Sequence, residues 1–202
     1  MTLHDKDLEQ VLHERCPSVL ARIVIMREVC RLVDAMHNEG FAHNDVCMRK
    51  VSVNIPRTQE RNEEMGKEEK GTEIARTEDN MTKVMLFGVR FMRPLGDSAY
   101  FRRMWEISRD RETLRTRCYP WLAPELFTFC QKSSRAADVY SIGYLGRQLL
   151  APHPHPLSSI LRECLGPVKT RPSIPQLFHA FDNEVTHLSS NLVGHGESKR
   201  PS

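Results

Sequence analysis

The side chains best equipped to move a proton stand together at His43-Asn44-Asp45, where an imidazole, an amide and a carboxylate occupy successive positions. A carboxylate or an imidazole can take up or release a proton at neutral pH if its surroundings tune it. Two residues beyond, at Cys47-Met48-Arg49-Lys50, the chain adds a thiol and two cations. Metal chemistry finds less support. The six cysteines, at 16, 30, 47, 118, 130 and 164, form no C-x-x-C pair, and the five histidines between 153 and 195 follow no ligand spacing. Reduced, buried thiols are the expectation.

Such a cluster needs elements to hold it. Upstream, apolar residues recur at Leu20, Ile23, Val24, Cys30, Val33 and Met36, close to the 3.6 period of a helix over 18–39 that stops at Gly40. Pro17 suits the first turn of that helix. Residues 1–15 hold a short helix from Asp5 to His13, with Leu8, Val11 and Leu12 on one face. Downstream, Val51-Ser52-Val53-Asn54-Ile55 alternates as a strand does, and Met81 to Leu86 reads as its partner. Between them, 13 of the 25 residues from 56 to 80 are charged and only Met65, Ile74 and Ala75 are apolar. That composition predicts a disordered insertion. Residues 89–117 carry eight Arg against four acids and read as a solvated, irregular stretch. Helices are expected from Ala136 to about Ala151, from Leu157 to Leu165 and from Arg171 through Phe181, with 183–202 a polar tail.

At 202 residues with 40% hydrophobic content, the chain can bury one sizeable core. A net charge of +3 does not call for nucleic acid. With no apolar run near the length of a membrane helix and no apolar signal core after Met1, the cytosol or nucleus is the expected compartment.

Order and context supply a resemblance. His43-Asn44-Asp45 follows a helix and precedes a strand. Leu86-Phe87-Gly88 closes the second strand; then come Ala123-Pro124-Glu125, Asp138-Val139-Tyr140-Ser141-Ile142-Gly143 and Arg171-Pro172-Ser173. This succession resembles the H-R-D, D-F-G and A-P-E landmarks of protein kinases, over about residues 16–182. Small-molecule kinases share an H-x-D loop, but the later landmarks speak against them. The implied fold is mainly α: the large, C-terminal lobe of a protein kinase with a small strand pair. Only 42 residues precede His43, so no β-rich small lobe is expected.

The resemblance also assigns roles. Asp45 stands at the base position, His43 packs its ring against Phe87, and Asp138 hydrogen-bonds the backbone of the loop. Glu125 and Arg171 match a buried salt bridge. Gly88 keeps the glycine of D-F-G. Asn44 replaces the Arg that receives an activation-loop phosphate. The two magnesium ligands of the family are replaced by Lys50 and Leu86. The family binds ATP and Mg; here no cofactor is expected. Retained scaffold with lost metal ligands is what a pseudokinase looks like. The expected function is binding to a protein partner of unknown identity, with no nucleic acid and no membrane involved. The alternative is a fragment of an ATP-dependent protein kinase that phosphorylates Ser/Thr or Tyr on proteins. Trp121, two before Ala123, is reminiscent of tyrosine-kinase-like sequences, and the helix that kinases place after the central one is replaced here by the run from Pro152 to Pro156.

Overall fold

The computed structural model describes residues 6–54, 82–98, 110, 113–128, 132–151 and 154–194, with side chains up to 191. The expected insertion at 56–80 and the last eight residues lie outside this set. The chain is mainly helical with a small antiparallel sheet.

Helix α2 (Val19–Asn38) is the axis of the molecule. Ser18 caps it, its hydroxyl accepting from the Ala21 N–H at 3.1 Å. The cap fixes the start one residue later than the sequence suggests, so Pro17 precedes the helix instead of opening it. The Pro17 carbonyl accepts from Arg22 Nε at 2.9 Å. Ile25, Met26 and Val29 are buried beside the expected Leu20, Ile23, Val24, Cys30 and Val33, whereas Met36 is half-exposed and His37 takes the buried position at that level. A helix buried on more than one face has neighbours on several sides. One of them is α3 (Arg135–Leu150), capped by the Ser134 hydroxyl on Ala137 N–H at 3.2 Å. Another is α5 (Ile174–Gly194), which lays Leu177, Phe181 and Val185 on it. Each such side chain contributes roughly 1.5–3 kcal/mol of burial.

Helix α5 corrects the expected polar tail, since the helix runs on to Gly194 instead of ending near Phe181. Val185 is buried and Leu188 packs against the core, continuing the stripe of Ile174, Leu177 and Phe181. Its start is a capping box: Ser173 N–H donates to Gln176 Oε1 at 2.7 Å, and Gln176 N–H returns to the Ser173 hydroxyl at 3.4 Å. Helix α4 (Ser158–Cys164) crosses α3 closely. A Cβ on Gly143 would stand 2.3 Å from Cys164 Cβ, so only glycine admits this approach.

The sheet has one strand more than the expected pair. Strand β1 (Lys6–Asp7) joins β3 (Val51–Asn54), which pairs with β4 (Lys83–Leu86), in the order β1-β3-β4. Asp7 also caps α1 (Leu8–Arg15), which starts and ends later than the expected helix over 5–13; Leu8 and Val11 are buried. A second, two-residue pairing joins β2 (Phe41–Ala42) to β5 (Arg93–Pro94). It is held further by Leu95 N–H on the Gly40 carbonyl at 2.8 Å. Val51 and Val53 face the main core, with Val84 and Leu86 packed against it. A smaller cluster, Leu122, Ala123, Leu126, Phe127 and Ala137, supports the chain before α3. Among the described residues no helix is long and apolar enough to cross a membrane.

Candidate functional site

The loop between β2 and β3 carries His43, Asn44 and Asp45, all buried. Its shape is set by one carboxylate. Asp138, buried in the first turn of α3, accepts from His43 N–H at 2.8 Å and from Asn44 N–H at 2.7 Å. His37 Nε2, at 2.9 Å, completes three partners for two oxygens. The expected role of Asp138 toward the loop backbone is thus present, but the His37 contact was not foreseen. His37 lies 101 residues away in the chain, a distance over which no local pattern operates.

His43 spends both ring nitrogens. Nδ1 accepts from Asp45 N–H at 3.2 Å, and Nε2 lies 3.3 Å from the Phe87 carbonyl, so the neutral Nε2–H tautomer satisfies both contacts. Burial lowers its pKa and keeps it neutral. No lone pair is left over for a base. His43 meets Phe87 through its carbonyl, and Phe87 itself is 43% exposed.

Asn44 sits at φ 61°, a left-handed conformation that Asn tolerates better than most residues. Its amide donates to the Phe91 carbonyl at 3.1 Å and to the Ser133 hydroxyl at 3.0 Å. It therefore ties the loop to the segment after β4 and to the chain before α3. Its Oδ1 is buried without a hydrogen-bond partner.

Asp45 is covered by Trp121, whose indole N–H donates to its Oδ1 at 2.9 Å. Trp121 is itself fixed: Ser141 Oγ donates to its carbonyl at 2.8 Å, Tyr119 meets it edge-on with centroids 5.7 Å apart, and the Arg49 guanidinium lies 5.6 Å over its ring. The sequence offered no sign of this contact across 76 residues. Burial raises the Asp45 pKa; the Trp121 hydrogen bond and the Lys50 charge oppose the rise without cancelling it. Cys47, next in the loop, is pushed up to about 11 by burial, so it stays a thiol at neutral pH.

The Asp45 shift has a testable consequence. A carboxyl that holds its proton more tightly when folded loses stability as pH rises from its ordinary value of 3.8 through the higher folded one. Asp45→Asn keeps an acceptor for Trp121 and removes the charge. It should melt at or above the parent temperature at neutral pH, and the gain should shrink toward zero on acidification below the ordinary carboxylate range. Thermal melts across that window check it.

Lys50 and Leu86 stand at the same end of the β3–β4 pairing. The Lys50 stem lies across Gly88, whose φ is +88°; a Cβ there would stand 2.6 Å from Lys50 Cδ. Conformation calls for glycine here, whereas the flexible Lys50 stem can swing aside for a Cβ. Leu86 turns into the main core. Neither position presents a carboxylate or amide oxygen, and no group of three or more His, Cys, Asp or Glu able to hold a metal occurs among the described residues. The residues present do not fit magnesium.

Glu125 and Arg171 meet as expected. Arg171 Nη1 and Nη2 donate to Glu125 Oε1 and Oε2 at 2.5 and 2.9 Å, a two-pronged pair with side chains 3% and 16% exposed for Arg and Glu. Further bonds run to the Ala136 carbonyl at 2.8 Å and the Gly166 carbonyl at 2.9 Å. The guanidinium also lies 5.1 Å from the Tyr140 ring centre.

Fold and site together define a mainly helical chain in which a buried loop is held by one carboxylate and its own Asp is covered by an indole. No protein-family model matches the chain, and no curated protein matches it.

Proposed function

We propose that this chain is a protein-kinase-like large lobe that does not transfer phosphate and acts through binding to a protein partner. The observation that carries this reading is the pair of side chains at the positions where the family places its metal ligands. Lys50 lays an alkyl stem over Gly88, and Leu86 points into the core. Phosphoryl transfer depends on cations that neutralise charge on the phosphates, and oxygen ligands must hold them. Two further features agree. Asp45, at the base position, is occupied by the Trp121 indole, and the Nδ1 and Nε2 of His43 are both in use. What is kept is structural: the Asp138 clamp and the Glu125–Arg171 pair.

Incubation of the purified chain with γ-labelled ATP and magnesium, alone and with generic protein substrates, should give no incorporation above that of Asp45→Asn. Magnesium-dependent labelling that Asp45→Asn abolishes would restore the enzyme.

A further inference from the structure

Strand β4 is the outer member of the three-stranded sheet. Phe87 N–H donates to the Lys50 carbonyl at 2.9 Å, which sets the alternation of the ladder. Main-chain groups of Phe87 and Met85 face β3, and those of Val84 and Leu86 face away from it. The side chains alternate in the opposite sense. Val84 and Leu86 pack on the core, while Met85, Phe87 and, just beyond the strand, Val89 are 50%, 43% and 63% exposed. Among the described residues no further strand pairs with β4, and an unpaired edge beside an apolar stripe is a template for another strand that folded proteins ordinarily blunt. A groove of about 350 Å³ lies beside the first half of this strand, between Thr82–Met85 and the Glu28–Arg31 turn of α2.

Charge selects the occupant. The one acid of the groove, Glu28, is held by Arg31 at 2.7 Å and by Arg27 at 3.5 Å. Lys83 and Arg90, at the two ends of the stripe, are exposed and make no ion pair among the described residues. A second copy of the chain would bring its own Lys83 and Arg90 against these cations. An acidic extended segment would not.

We infer that the outer edge of β4 binds an extended segment of a partner protein, added as a fourth strand. Its backbone bonds to Val84 and Leu86, its alternate apolar residues lie on Met85, Phe87 and Val89, and its acidic residues meet Lys83 and Arg90. This inference does not rest on the kinase-like reading, because the edge lies outside the Asp45 loop and stands on its own geometry.

A random-peptide phage library selected against the full chain is the test. The expected winners alternate apolar residues and carry Asp or Glu. As synthetic peptides they slow amide exchange at Val84 and Leu86. Met85→Ser and Val89→Ser, both at exposed positions and checked for unchanged melting, should weaken binding by about tenfold or more. Lys83→Glu should shift selection away from acidic peptides. Winners that leave the β4 amides unchanged, or that bind the serine variants equally well, would overturn the inference. So would a failure to enrich any peptide. Concentration-dependent protection of Val84 and Leu86 in the chain alone would also overturn it, by making a second copy the occupant.

Discussion

Replacing Arg171 with alanine is expected to cost roughly 3–5 kcal/mol, because the substitution strands a largely buried carboxylate. Arg171 is 3% exposed and Glu125 16%. The lost guanidinium also serves the carbonyls of Ala136 and Gly166 and lies against Tyr140. A domain of this size has only about 5–15 kcal/mol in total. The melting temperature should therefore fall by on the order of 10 °C. Arg171→Lys should recover little, since a single ammonium cannot reproduce a fork that reaches four acceptor oxygens. Lys50→Ala is the control, since Lys50 is only half-buried; it should move the melting temperature by far less. Differential scanning of the three variants decides it. An Arg171→Ala chain that melts like the parent would mean the pair holds nothing together.

The second large effect belongs to Asp138. Asp138→Ala leaves the buried N–H groups of His43 and Asn44 without an acceptor and removes the partner of His37. An orphaned buried donor costs about 1–3 kcal/mol, so the two amides alone amount to roughly 2–6 kcal/mol. Asp138→Asn should fall between alanine and parent, because one oxygen remains to accept while the new NH2 faces donors. The diagnostic readout is local. Amide exchange at His43 and Asn44 should quicken more than exchange in the middle of α2, which keeps its own ladder. Uniform quickening would mean that Asp138 supports the whole fold and does not act through the loop.

These two residues also show what could be read from the sequence and what could not. Helix α2, its stop at Gly40 and the start of α3 near Asp138 follow from apolar period and cap chemistry, which are local signals. The Glu125–Arg171 and Asp138 contacts came from motif order, since neither pair is near in sequence. Strand β1 escaped because two residues carry no alternation; pairing with β3 alone defines it. The polar residues after Phe181 mask the end of α5, although Val185 and Leu188 continue the spacing of Leu177 and Phe181. Trp121 on Asp45 and His37 on Asp138 are long-range side-chain contacts, and only the folded backbone brings them together.

The most direct test of a kinase-like lobe without metal ligands is calorimetric titration of ATP into the purified chain, with and without magnesium. With Lys50 and Leu86 where the proposed reading puts the metal ligands, magnesium is expected to make no difference to whatever nucleotide heat is seen. Saturable ATP binding that requires magnesium and is lost in Asp45→Asn would contradict that prediction. It would show that the loop under Trp121 still holds a nucleotide and its metal.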